Sequence, residues 1–129
     1  MSPSPEHVEY AEMLLRRAKG DAHACRVLAD DAEIDDSAVG FHAQQAVEKA
    51  LKIALVVAEV ELPRTHDLEQ LVEHVKASGT EVPDELARVE WLTPWAAALR
   101  YDEPTPLDRP AALAAAESAT NWATALVGA

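Results

Sequence analysis

The chain has 129 residues and a net charge of −12, from 23 acidic and 11 basic side chains. Its length suits one domain with one hydrophobic core, and its apolar residues are mainly Ala, Leu and Val. Only four glycines are present, a composition that favours helices over a loop-rich β domain. The acidic excess disfavours broad, non-specific nucleic-acid binding, but a local basic pocket or a basic partner is compatible with it.

Several function classes are disfavoured by what the sequence lacks. The longest apolar stretches, such as residues 53–58, are much shorter than the roughly 20 residues that span a bilayer. The first residues lack the basic and apolar regions of a signal peptide, so we expect a cytoplasmic protein without a membrane partner. The single Cys25 is expected to be a buried apolar side chain. The histidines lack the paired spacing of a zinc site, so neither a metal nor a cofactor is expected.

The first half of the chain predicts two long helices. Ser and Pro at residues 4 and 5 are typical of an N-cap and first turn, and apolar residues then recur at three- or four-residue steps. This first helix extends to the acidic stretch 30–36, although Gly20 leaves a break or kink open. An aspartate at the end of that stretch can cap a second helix, which runs from about Asp36 to about Glu59.

The second half predicts shorter helices. One begins at residues 65–66 and ends at Gly79, and another opens at Pro83 and should bend or divide at Pro94, which lacks a backbone N–H. After a proline-rich loop, a last helix is capped near Asp108. We therefore predict an all-α fold, an antiparallel up-and-down bundle of about five helices in a single domain that spans the chain.

The second helix is strongly amphipathic. With about 100° between successive residues, its apolar side faces an opposing polar arc. The simplest interpretation of this arc is a solvated face with an ordinary Glu48–Lys52 pair. Phe41 argues against it, because it lies in the middle of the arc and an exposed Phe needs cover from another helix or a second subunit. The polar arc consists of Gln44, Gln45, Glu48, Lys49 and Lys52.

Three motifs of the chain are familiar. Residues 41–52, Phe-His-Ala-Gln-Gln-Ala-Val-Glu-Lys-Ala-Leu-Lys, resemble the signature of the HEPN family of helical nucleotide-binding domains. Residues 63–68 are similar to the family segment that leads into the third helix, and residues 99–101 to its Arg-Tyr pair near the end of a later helix. The motifs occur in family order over most of the chain, so the resemblance is specific.

The resemblance implies a bundle with a four-helix core that is usually dimeric and works in RNA-directed defence, toxin–antitoxin pairs or nucleotide binding. Many members are encoded beside a minimal nucleotidyltransferase, which is the expected protein partner, and a nucleotide or RNA is the expected ligand. Active members are metal-independent ribonucleases with an Arg and a later His. Such a His can move the proton of a 2′-hydroxyl while the Arg holds the phosphate.

The chain departs from that ribonuclease pattern. Arg100 is the counterpart of the family arginine, but no histidine follows His74, and Tyr101 is a poor proton carrier at neutral pH. We therefore expect a non-catalytic or weakly active dimer. The alternatives are an RNA endonuclease built around Arg100 and Tyr101, or a small nucleotide sensor. The candidate nucleotide- or phosphate-binding residues are Gln45, Lys49, Arg64 and Arg100. The candidate interface residues are Phe41, Gln45, Glu48 and Lys52.

Two further sets of residues allow competing interpretations. The neighbours His66 and Asp67 would suit a catalytic or metal pair, but capping of the third helix explains both through hydrogen bonds to free backbone N–H groups. The three tryptophans would suit base stacking, but sparse tryptophans on helices are expected to be core or interface anchors.

Overall fold

A computed structural model describes residues 2–96 and 106–129. Within these residues the secondary structure is entirely helical, so the predicted all-α class is confirmed. The α-helices are α1 (Pro5–Ala29), α2 (Asp36–Val57), α3 (Leu68–Ala77) and α4 (Arg109–Gly128). Two 3₁₀-helices, Asp84–Leu86 and Glu90–Ala96, lie between α3 and α4.

The predicted helix starts are largely confirmed. The Ser4 hydroxyl accepts a hydrogen bond from the backbone of α1, and Asp35 and Asp108 do the same for α2 and α4. Helix α1 runs through Gly20 without interruption, so the alternative of a break there is wrong. The cap of α3 is the Asp67 carboxylate rather than either residue before it.

The prediction of one α-helix that opens at Pro83 and bends at Pro94 is wrong. Pro94 instead lies inside the second 3₁₀-helix, and the interruption comes earlier, at residues 87–89. The physical reason is the spacing of the buried side chains, which recur every three residues and so match the three-residue turn of a 3₁₀-helix. These side chains are Leu86, Val89, Leu92 and Trp95.

Helix α2 is the centre of the bundle and packs against α1, α3, α4 and the second 3₁₀-helix. The backbone N–H of Ser4 donates to Glu59 Oε1 at 2.6 Å, so the start of α1 lies beside the end of α2. At the other end, Arg109 of α4 donates to the Ala29 carbonyl at 3.2 Å. Helix α1 is therefore antiparallel to both α2 and α4. The core lies between these three helices and extends to α3 and the two 3₁₀-helices.

Two glycines have defined roles. Gly79 has a φ of 90° just after α3, so it ends that helix as predicted. Gly40 allows the Trp95 ring to lie against the backbone of α2, since a Cβ at Gly40 would be 2.6 Å from ring carbons. Trp95 is thus a core residue, as expected, and Trp122 packs partly buried against the core. Trp91 is 40% exposed, which overturns the core expectation for that residue.

Cys25 is buried, as predicted. None of the helices described is both long enough and apolar enough to cross a membrane.

Candidate functional site

The polar arc of α2 is not a solvated face. Gln44 is 0% and Glu48 5% exposed, and Lys49 and Lys52 keep less than a quarter of their side-chain surface. The expectation of a solvated arc is wrong because α1 covers one end of it and the segment before α3 covers the other. The arc joins these segments in a continuous hydrogen-bonded cluster, called the polar network below. The polar network consists of Asp21, His42, Gln44, Gln45, Glu48, Lys49, Lys52 and His66.

Asp21 of α1 anchors the first end of the polar network. Its carboxylate accepts from Lys49 Nζ at 2.5 Å and lies 2.9 Å from His42 Nδ1. All three side chains are largely buried. The ion pair between Asp21 and Lys49 therefore replaces the water that the ammonium group would otherwise bind. Lys49 is thereby neutralised within the chain.

Glu48 anchors the second end. One carboxylate oxygen accepts from Gln44 Nε2 and lies near His66 Nδ1, each at 2.9 Å, and the other accepts from Lys52 Nζ at 2.9 Å. The predicted Glu48–Lys52 pair is therefore confirmed. Burial alone would raise the pKa of Glu48, but the hydrogen bonds from Gln44, Lys52 and His66, with the Lys52 charge, lower it below its usual value. Glu48 is therefore held as a carboxylate.

The two glutamines join these ends. Gln45 Nε2 donates to Gln44 Oε1 at 2.8 Å, and Gln45 Oε1 accepts from Lys49 Nζ at 3.1 Å. Gln44 also donates to the His66 carbonyl at 3.3 Å, which fixes the backbone just before α3. Among the described residues, every buried side-chain nitrogen and oxygen has a hydrogen-bond partner. Such a saturated network is rigid and specifies one arrangement of the helices.

His66 differs from the rest of the network in its exposure. Its side chain is 72% exposed, whereas the carboxylate that holds its Nδ1 is almost fully buried. The expectation that His66 caps α3 is wrong, because Asp67 has that role and the imidazole turns towards α2. Within the described parts of the chain nothing hydrogen-bonds to Nε2. A buried carboxylate that fixes one ring nitrogen and leaves the other open is an arrangement suited to proton transfer or ligand binding.

The structure brings only some of the candidate residues together. Gln45 and Lys49 are hydrogen-bonded neighbours, but Arg64 is exposed and forms no ion pair with residues 2–96 or 106–129. Phe41 is half-buried, and its ring meets that of His42 edge to face with centroids 5.4 Å apart. Arg100 and Tyr101 lie outside the described residues.

Four network residues were not among the candidate site residues: Asp21, His42, Gln44 and His66. Asp21 gave a usable signal, because it lies three residues after the buried Ala18 and four before the buried Cys25, at the border of the apolar stripe of α1. An acid in that position needs a cationic partner on the neighbouring helix. The sequence around His66 gives no signal of a contact with α2, because a capping role at the start of α3 accounts for a histidine there equally well.

Over residues 2–96 and 106–129 the side chains form no cluster of three or more His, Cys, Asp or Glu that would hold a metal ion.

The class of protein is thus a helical bundle with a saturated polar network on its central helix. A residue from the segment before α3 closes this network. The family model described as "HEPN domain" matches residues 11–127, and the chain belongs to the HEPN family. It is therefore a helical module of the nucleotide- or RNA-associated type. No curated protein and no solved structure gave a significant match.

Proposed function

We propose that this HEPN chain is a non-catalytic or weakly active subunit that dimerises and pairs with a minimal nucleotidyltransferase, as one half of a toxin–antitoxin module. The observation that carries the proposal is the neutralisation of Lys49 and Lys52 by Asp21 and Glu48. Ammonium groups that are both largely buried and already paired have little affinity left for a phosphate. The sequence also lacks a histidine after Arg100, so the proton carrier of active relatives is missing from its usual place.

The surface supports a protein partner. A net charge of −12 favours association with a basic face. Phe41 is half-buried on the same face of α2 as Gln45 and Lys52, and aromatic side chains are enriched in interfaces. Glu48 itself is buried, so its proposed contribution to the interface is to hold the Lys52 side chain in place.

Co-expression tests the pairing. The tagged chain should co-elute with the product of a neighbouring nucleotidyltransferase gene through affinity and size-exclusion steps. A chain that elutes alone when both proteins are present would contradict the pairing.

Light scattering tests the dimer separately. The purified chain should show twice the mass of one copy, and Phe41→Asp should shift it towards one copy. Val27→Asp, at a side chain that is 55% exposed on α1, is the matched control and should stay dimeric. Loss of the dimer in both variants, or a monomeric wild type, would contradict the assignment of Phe41 to the interface.

The orientation of His66 favours a second candidate, a metal-independent RNA endonuclease. In this case His66 Nε2 accepts the proton of a ribose 2′-hydroxyl, while the Glu48 carboxylate stabilises the imidazolium that forms. The freed oxygen attacks the adjacent phosphorus and the 5′-oxygen leaves. Arg100 holds the phosphate, and Tyr101 or a residue of a second subunit protonates the leaving oxygen.

RNA incubated with the purified protein in EDTA separates the two candidates. If the chain is an endonuclease, His66→Gln and Arg100→Ala should each lower cleavage by about 100-fold or more, since a general base contributes roughly that factor. His74→Gln, an exposed histidine on α3, is the matched control and should retain full activity. Equal background cleavage by all variants would leave the non-catalytic function in place.

A further inference from the structure

The basic side chains of the protein are unevenly distributed. Arg16, Lys19, His23 and Arg26 recur at three- or four-residue steps along α1, so they form one exposed stripe. After Glu12, the only acid of α1 is Asp21, and that carboxylate faces α2, where Lys49 neutralises it. A local positive stripe therefore exists on a chain with a net charge of −12.

The stripe borders a cleft between α1 and α4 with a volume of about 200 Å³. Helix α1 contributes Lys19, His23 and Arg26 to its lining, and α4 contributes Glu117 and Asn121. The cleft is therefore lined mainly by hydrogen-bond donors, with Glu117 as its one carboxylate.

The donors of the cleft are available, unlike those of the polar network. The side chains of Lys19, His23 and Asn121 have no hydrogen bond or ion pair with any residue that the structure describes. Arg26 gives one nitrogen to Glu117, which holds the guanidinium at the cleft and leaves most of its five N–H donors unused.

We propose that this cleft binds a phosphate group of a nucleotide or of an RNA strand. Planar guanidinium donors, an ammonium group and an amide converge on one concave site, which is the donor set that phosphate oxygens favour. The acidic surface elsewhere repels phosphates and so directs them to this side of the bundle. Phosphate binding in this cleft requires neither the protein partner nor the catalytic activity.

The stripe continues beyond the cleft. This extension allows an experiment to distinguish the two sources of phosphate, a free nucleotide and an RNA strand. From Arg16 to Arg26 it is about 15 Å long at 1.5 Å per residue, so the phosphates of one nucleotide lie too close together to contact both ends, whereas successive phosphates of a strand can. A free nucleotide should depend on Lys19 and Arg26 but not on Arg16, whereas an RNA strand should depend on all three.

Binding assays with two probes test the proposal: fluorescence anisotropy with a labelled single-stranded RNA, and calorimetry with ATP, both at low salt. The double variant Lys19→Gln/Arg26→Gln should weaken binding of the recognised probe by about 10-fold or more, since each lost charged hydrogen bond has roughly that effect. For RNA, the slope of the log of the association constant against log salt should also become less negative by about 1.4, or roughly 0.7 per lost contact.

The matched control is Lys76→Gln/Arg88→Gln, which removes the same charge from exposed positions outside the cleft. It should bind within about twofold of the wild type, and thermal unfolding should show that both double variants remain folded. Absence of binding to either probe, or equal weakening in both double variants, would overturn the proposal. Neither result bears on the nucleotidyltransferase partner, because the contacts proposed for that partner lie around Phe41 and do not include the cleft.

Discussion

Arg109 Nε donates to Asp36 Oδ1 at 2.8 Å and so joins the first residue of α4 to the first residue of α2. The same guanidinium donates to backbone carbonyls of Leu28, Ala29, Asp31 and Ile34, at the end of α1 and in the turn that follows. One side chain thus satisfies carbonyls that α1 leaves unpaired and fixes the meeting point of the three core helices.

Replacing Arg109 should therefore destabilise the bundle. Arg109→Ala is expected to lower the free energy of unfolding by about 2–4 kcal/mol, because it removes the cationic partner of the partly buried Asp36 carboxylate and the donors to the Ala29 and Ile34 carbonyls. Arg109→Lys should recover only part of the loss, since an ammonium group lacks the planar fork. Urea unfolding followed by circular dichroism measures both. Arg64→Ala, at an exposed arginine, is the control and should change stability by less than about 0.5 kcal/mol.

Replacing either of two glycines inside helices by alanine should change the stability of the protein, but in opposite directions. At Gly20 a Cβ meets nothing within 4 Å, so Gly20→Ala should stabilise by about 0.5–1 kcal/mol through helix propensity. At Gly40 the Cβ would lie 2.6 Å from the Trp95 ring, so Gly40→Ala should destabilise by about 1–3 kcal/mol. Thermal unfolding of the two variants is the measurement. A stabilising effect at Gly40 would show that Trp95 does not pack there.

The helices that could be predicted from the sequence are those with strong caps and a period near 3.6. Ser4, Asp35 and Asp108 mark their helices because each side chain satisfies a free backbone N–H locally. The prediction for the segment around Pro94 is wrong because its buried residues follow a period of three. In a short apolar run, that period closely resembles the three- and four-residue steps of an α-helix.

The polar network could be predicted only in part, for a different reason. The arc on α2 was visible from its periodicity, but its burial depends on what covers it. The covering residues, Asp21 and His66, are separated from the arc by roughly twenty residues in each direction, and a helical period carries no information on such contacts. A polar face that meets another helix and a polar face that meets water have the same pattern in sequence.

Cys25 should be inert in the folded protein. Burial, and secondarily the negative charge of Glu117, raises the pKa of its thiol to about 11, so very little thiolate exists at pH 8. A disulfide reagent such as DTNB should therefore react slowly with the native chain and fully once urea unfolds it. Rapid reaction at pH 8 without denaturant would contradict the burial of Cys25.

Acid should destabilise the protein through Glu48. Its pKa is lowered in the folded state from an ordinary value of 4.5, so the unfolded chain binds the proton more readily. The stabilisation is therefore complete above about pH 4.5 and is lost as the pH falls through the lower, folded pKa. Asp36 contributes in the same sense, because hydrogen bonds from Arg109 and the Leu107 backbone outweigh the effect of burial and lower its pKa.

Glu48→Gln isolates this contribution. The variant should be less stable than the wild type at pH 7, since it withdraws the charge that Lys52 pairs with, and its stability should fall less steeply between about pH 5 and pH 3. Urea unfolding at a series of pH values gives both quantities. Glu73→Gln, at an exposed acid of α3, is the control and should keep the wild-type profile. Equal slopes for the wild type and Glu48→Gln would show that the polar network does not hold Glu48 as a carboxylate.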